Sequence, residues 1–411
     1  MRSTLSNGVR LECELVEGAR SVAVGVWVRC GGAHDPVGRE GAAHMLEHMV
    51  FKGTKRRSAR DIAMSVESLG GWLDAYTSRE HTCYQARVAA AHLDPALDVL
   101  ADLVLNPKLT ARDLQTERRV VLEEIAQVED TPDDVVYDLH GERLWAGHPY
   151  GKPILGSSAT VRELALTDIV EAHSRYRGSN LVVAAAGALD PDRFFGQAGS
   201  LFGGLPPGRR TSSPRPPRSV RTGTELCVRP TKQSHLVFGS KVPGRSHPDR
   251  HALAIVSQAL GGGMSSRLFQ RVREDLGLCY QVQTFQQFFS AAGLAGIYAG
   301  TGSATADAAI EAIRTEMARV AAGELSESEI AAAKEQLKGG LVLSLESTAA
   351  RLARLASFAL HDEPFLDIDE LLARIEGVEA SDIDRVAAEH FDPDNYLLLR
   401  LGPELIPAAA A

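Results

Sequence analysis

LTARDLQTERRVVLEE, residues 109–124, has a second version in the same chain: LSESEIAAAKEQLKGG, residues 325–340. Aligned without gaps, both open on a capping box, Thr110 with Asp113 and Ser326 with Glu329, so each predicts a helix start. The match extends upstream. GGWLDAYT and HTCYQARVAA alternate as strands before the helical HLDPALDVLADLV. LCYQVQTFQQ and AGLAGIYAG do the same before ATADAAIEAIRTEMARV. Each half also opens on a β-branched strand, SVAVGVWVR or SHLVFGSKV, and closes on another, NLVVAAAGAL or NYLLLRLG. Strands grouped in hairpins with separate helices predict an α+β fold of two homologous domains. Each is expected to be a mostly antiparallel sheet with helices packed on one face. Between the copies, residues 203–224 are dense in Pro, Gly, Ser and Arg and lack hydrophobic periodicity, the pattern of an exposed linker. The expected domains are therefore residues 1–202 and 225–411.

Composition narrows the function. The 411 residues carry 44 Lys and Arg against 53 Asp and Glu, a net charge of −9. Phosphate contacts need a basic face, so this balance argues against a nucleic-acid partner. The cysteines, Cys13, Cys30, Cys83, Cys227 and Cys279, are odd in number and contain no C-x-x-C. They read as reduced thiols in a cytoplasmic setting. The first residues carry no apolar leader core and enter a hairpin pattern with Asn7-Gly8 as the turn. No run reaches the 18 or so apolar residues of a membrane span, so no membrane partner is expected.

The repeat also locates chemistry by where it fails. Glu117 aligns with Ala333 and Glu124 with Gly340. The first copy thus holds two carboxylates seven residues apart, two helical turns along one face, and the second copy has lost both. HMLEHMV, residues 44–50, likewise has no full counterpart. Read as part of a helix over GREGAAHMLEHMVF, it stacks His44 and His48 at i and i+4, a spacing that suits two imidazoles on one metal ion. Glu47 projects near the same face and can reach a water there; H-x-x-E-H is the inverted zincin pattern. A third ligand is needed, and the Glu117/Glu124 pair is a source for it. The bland alternatives are two core histidines beside a solvated glutamate, and a solvated acidic helix face.

These motifs resemble the M16 metallopeptidases (pitrilysin, insulinase, mitochondrial processing peptidase), in their short two-domain form. The resemblance runs from TLSNGVRLECELV through GREGAAHMLEHMVFKGT, LGGWLDAYTSREHTCY and ERRVVLEEI to LGGGMSSRLFQRVREDLGLCYQV. It implies one zinc ion per chain on His44, His48 and Glu124, with water as the fourth ligand and Glu47 as general base. Glu117 would orient a histidine ligand or the water. It further implies an enclosed endopeptidase for extended or unfolded peptides. The strand segment Leu73, Asp74, Ala75, Tyr76 and Thr77 would be an exposed edge that pairs with substrate. Many members have Asn where this chain has Asp74, and an ionised Asp cannot donate to a carbonyl, so that role is not carried over. Arg273 and Tyr280 match a pair that stabilises charge near the scissile bond. In a two-domain chain that pair would come from a second copy, so a homodimer with shared sites is expected. The rival is a non-catalytic or obligate-partner subunit of a heterodimer. One decoy is set aside: His247 and His251 are also four apart, but His247 precedes a proline and no glutamate stands between them.

Overall fold

The computed structural model describes residues 1–404. The strands are β1 (Arg2–Thr4), β2 (Arg10–Leu15), β3 (Ser21–Val28), β4 (Trp72–Thr77), β5 (Thr82–Ala89), β6 (Leu181–Gly187), β7 (Gly223–Val228), β8 (Gln233–Val242), β9 (Cys279–Phe288), β10 (Gly293–Gly302) and β11 (Leu397–Gly402). The helices of the first half are α1 (Ala42–Val50), α2 (Ala59–Glu67), α3 (Leu93–Leu105), α4 (Ala111–Glu129), α5 (Pro132–Trp145), α6 (Ser158–Glu163), α7 (Leu166–Ser174) and α8 (Pro191–Phe202). Those of the second are α9 (Arg250–Gly261), α10 (Ala306–Ala321), α11 (Glu327–Ser344), α12 (Thr348–Leu360), α13 (Ile368–Glu376) and α14 (Ala380–His390). No described helix is long and apolar enough to cross a membrane. All five cysteines are free thiols.

The chain forms two compact units, and neither is one continuous segment. The first comprises Met1–Ala126, Lys152–Pro214 and Leu343–Phe365; the second comprises Gln127–Gly151, Arg215–Val342 and the chain from Leu366. The Pro- and Arg-rich stretch 203–222 forms no helix or strand.

The first unit is built on a six-stranded sheet ordered β1-β2-β6-β3-β5-β4. Its β1–β2 hairpin turns at Gly8, whose φ of +92° suits glycine. Strand alternation sorts the side chains of β3. Val22, Val24, Val26 and Val28 enter the main core with α1 and α3, while Ala23 and Trp27 face the other way. That other face is covered by α12, whose Leu352, Leu355, Ala356 and Ala359 pack on Trp27, Val182, Ala184 and Ala186. Each leucine so buried contributes about 2 kcal/mol. Arginines of the sheet hold the end of α12: Arg10 and Arg29 both donate to the carbonyl of Ala359. Arg10, Arg29 and Arg210 all pair with Asp362 just beyond it. Cations suit a helix C-terminus, where carbonyls lack partners.

The second unit repeats this plan with its sheet ordered β7-β11-β8-β10-β9. One parallel pair occurs in each sheet, β2 with β6 and β7 with β11, and the described pairings are otherwise antiparallel. Residues of α9, α10, α13 and α14 form its main core with one sheet face. The opposite face is covered by α5, through Val135 and Val136 on Val237, Tyr298, Leu399 and Leu401. His140 of α5 is 1% exposed, with Nε2 at 3.1 Å from the carbonyl of Leu397. Gly239 makes room for it: a Cβ there would lie 2.2 Å from His140 Cε1.

The duplicated α+β plan agrees with the sequence reading. The repeat also continues past α4 and α11, since α5 and α12 follow at residues 132 and 348, the same interval as 111 and 327. The second face of each sheet, to which the sequence reading assigned no helix, carries one drawn from the other half of the chain.

Candidate metal centre

Helix α1 begins later than its apolar pattern suggests. Gly41, at φ +94°, sits where a Cβ would meet the carbonyl oxygen of Leu155 at 2.5 Å, so the chain turns there and the helix starts at Ala42. Asp35, 5% exposed, caps this start by accepting from the amides of Gly41 (2.9 Å) and Ala43 (3.1 Å). Burial lifts the Asp35 carboxyl to about 7, against the pull of those amides.

His44 and His48 then lie one turn apart, ring centroids 4.7 Å from each other. Helix α4 presents Glu117 and Glu124 to them from positions two turns apart. Glu124 Oε2 is 3.7 Å from His44 Nε2 and 3.5 Å from His48 Nε2. The ligand atoms of His44, His48 and Glu124 all lie within 4.8 Å of one another. Among the described residues this is the one group of its kind. Glu117, 3% exposed, lies behind: one oxygen is 3.3 Å from His48 Nδ1 and the other 2.7 Å from Lys52 Nζ. Glu47, 9% exposed, accepts from the hydroxyl of Thr77.

Three lone-pair donors converge here, and this favours a proton or cation among them. His44 is pushed well below the usual imidazole range, first by burial and then by the charge of His48. For His48 burial works the same way, but the hydrogen bonds with Glu124 and Glu117 outweigh it and raise the group. Glu124 is held below the usual carboxylate range, chiefly by its bond with His48. Burial raises Glu47, with the Thr77 hydroxyl acting against it.

The donor set fits a zinc ion. Bonds of about 2.1 Å in a tetrahedron place ligand atoms roughly 3.4 Å apart. The two histidine–Glu124 separations are close to that edge. His48 has its remaining ring nitrogen on a carboxylate, the usual support of a ligating imidazole.

Sequence reasoning missed Lys52, Asp35 and the Thr77–Glu47 bond. For Lys52 a signal existed, since 44, 48 and 52 continue one spacing of four. The decoy histidines do not share a helix face, because α9 starts at Arg250 and His247 lies ahead of it.

Residues 13–158 match the family described as Insulinase (Peptidase family M16), and residues 164–337 match the one described as Peptidase M16 inactive domain. An uncharacterized zinc protease of Mycobacterium tuberculosis is 38% identical over 407 residues, 98% of this chain and 93% of the relative. The chain belongs to the M16 peptidase family. Another M16 relative, the uncharacterized zinc protease YmxG of Bacillus subtilis, is 36% identical over 404 residues, 98% of each chain. The mitochondrial-processing peptidase subunit beta of Mus musculus is 31% identical over 411 residues, 97% of this chain and 83% of the relative. The fold is that of a protease from Helicobacter pylori (TM-score 0.91, 24% identity, 98% and 99% of the chains covered). It is also that of a Pseudomonas fluorescens structure titled peptidase M16 inactive domain (TM-score 0.92, 20% identity, 98% of each). In this M16 chain the histidines and glutamates of the cluster all lie within the first match.

The other expected site residues occupy defined places. β4, with Leu73, Asp74, Ala75, Tyr76 and Thr77, is the last strand of its sheet. Leu73 and Ala75 pack toward the main core, while Trp72 and Tyr76 are exposed. Arg273 and Tyr280 belong to the second unit. Arg273 lies in a π-helical segment, Phe269–Asp275, its guanidinium 4.5 Å from the Phe269 ring and 5.3 Å from that of Tyr280. Tyr280 is 78% exposed on β9, which holds in its sheet the edge place that β4 holds in the other.

Proposed function

We propose that this protein is a zinc-dependent endopeptidase acting on extended or unfolded peptides. The observation that carries the reading is the convergence of His44, His48 and Glu124 beside a buried Glu47. The three ligands would hold one zinc ion, which supplies a Lewis acid that lowers the pKa of a coordinated water to about 7 and polarises a carbonyl. Glu47 takes a proton from the attacking water as its oxygen bonds to the scissile carbonyl carbon. The same carboxyl then delivers that proton to the leaving nitrogen as the C–N bond breaks. Glu117 accepts from His48 Nδ1–H, fixing the tautomer whose Nε2 lone pair would be free for the zinc ion. The free edge of β4 pairs with the peptide backbone, which gives binding with little sequence preference.

The active form in this reading is a homodimer in the cytoplasm, with Arg273 and Tyr280 of each chain serving the zinc site of the other. A subunit role is the second reading, favoured by the name of the mouse relative. Internally quenched peptides, incubated with and without a chelator and read by mass spectrometry of the fragments, separate the two. Metal-dependent cleavage by the purified protein alone supports the enzyme. Absence of cleavage by zinc-loaded protein favours the subunit.

A further inference from the structure

We propose that Thr77 is the positioning residue for Glu47, so that the edge strand and the proton carrier meet in one side chain. The inference rests on the reading of Glu47 as base.

Thr77 is the last residue of β4, and its Oγ1 donates to Oε2 of Glu47. Alternation puts it on the same face as Leu73 and Ala75, toward the core that contains α1, and leaves Asp74 and Tyr76 on the other face. A hydroxyl has one proton to give. The competing acceptor is Thr82 Oγ1 at 3.4 Å, beyond the range of a good O–H···O bond. Thr82 is fully buried and directs its own proton to the carbonyl of Cys30 at 2.9 Å. The Thr77 proton is therefore left to Glu47, whose ionised carboxylate can only accept.

This bond engages one carboxylate oxygen and leaves the other for water. It also removes rotational freedom from a long side chain, and a bond to a charged acceptor is among the stronger ones. Sequence reading placed Thr77 only in the substrate strand, through its backbone. The side chain has a separate task, and a peptide added along β4 would end beside the residue that aims the base.

The test compares the zinc-loaded protein with Thr77→Val, which keeps the shape and loses the hydroxyl, and Thr77→Ser, which keeps the hydroxyl. With a quenched peptide, Thr77→Val is expected to lower kcat about 10- to 100-fold. KM and zinc affinity by chelator competition should stay within about twofold, and Thr77→Ser should recover most of kcat. A Thr77→Val protein with unchanged kcat, a loss confined to KM, or a serine variant as impaired as the valine one would overturn the proposal. Crystal structures of both variants give a readout without turnover. The Glu47 carboxylate should leave its place in Thr77→Val and keep it in Thr77→Ser; a carboxylate that stays in both overturns the proposal. Absence of peptide cleavage by the unmodified protein overturns the enzyme reading instead, and the crystallographic arm still decides the role of Thr77.

Discussion

Glu117 sets one carboxylate oxygen 3.3 Å from His48 Nδ1, at 3% exposure. A buried carboxylate in that place fixes the orientation of the imidazole it touches. Glu117→Gln should therefore weaken zinc affinity by about 10- to 100-fold while the fold persists. Competition against a chromogenic chelator measures this. Lys52→Met, which removes the 2.7 Å partner of the same carboxylate, should shift affinity in the same direction by less. Unchanged affinity in Glu117→Gln would count against a supporting role.

Glu47 and Glu124 should separate cleanly. Glu47→Gln removes the proton acceptor and spares the ligands, so metal content should hold while turnover falls by about 100-fold or more. Glu124→Gln removes a ligand, so metal should be lost first. Metal analysis beside a peptide assay distinguishes the two. A Glu47→Gln protein that turns over at the parent rate would remove Glu47 from the mechanism.

The proposed shared-site homodimer makes a prediction on mixing. Glu47→Gln and Arg273→Ala should each cripple activity alone. Unfolded and refolded together in equal amounts, they give about half mixed dimers. Each mixed dimer then contains one intact site, so activity should return to roughly a quarter of the parent if sites work independently. No recovery, with exchange confirmed by native mass, would place Arg273 on the site of its own chain or elsewhere.

His140 should make the protein sensitive to acid. Burial holds this imidazole down to about 4 in the folded state. Between pH 6.5 and 4 the unfolded chain takes up a proton that the folded one refuses. Stability therefore rises with pH across that window and is lost as pH falls through it, by on the order of 2 kcal/mol at pH 5. Urea unfolding at pH 7 and pH 5 should show this extra loss in the parent and not in His140→Gln. Equal losses in both would assign the acid sensitivity to other groups.

Much of this was legible in the sequence because it depends on local spacing. Histidines at i and i+4, and carboxylates two turns apart, announce a shared face before any fold is known. At Ser326 the full capping box forms, Ser326 Oγ accepting from the Glu329 amide and Glu329 from the Ser326 amide, while at Thr110 the hydroxyl accepts from the Asp113 amide and donates to the Asp113 carboxylate. What the sequence hid is long-range choice. The apolar face of α5 or α12 shows that a helix needs cover, but nothing in Val135 or Leu352 says which sheet supplies it. The Thr77–Glu47 bond spans 30 residues and depends on how β4 meets α1. A threonine in a strand is otherwise an ordinary β-former, so composition gave no hint.

The crossing of α12 to the first sheet has a consequence for synthesis. β6, the last strand of that sheet to be made, ends at Gly187, and the helix that covers Trp27 and Val182 ends at Leu360. At 5–20 residues per second the interval on the ribosome is roughly 10–35 s. Through that time the nascent sheet has one apolar face bare. A chain that stopped before α12 would leave Ala23, Trp27, Val182, Ala184 and Ala186 facing water, an apolar patch with no cover of its own.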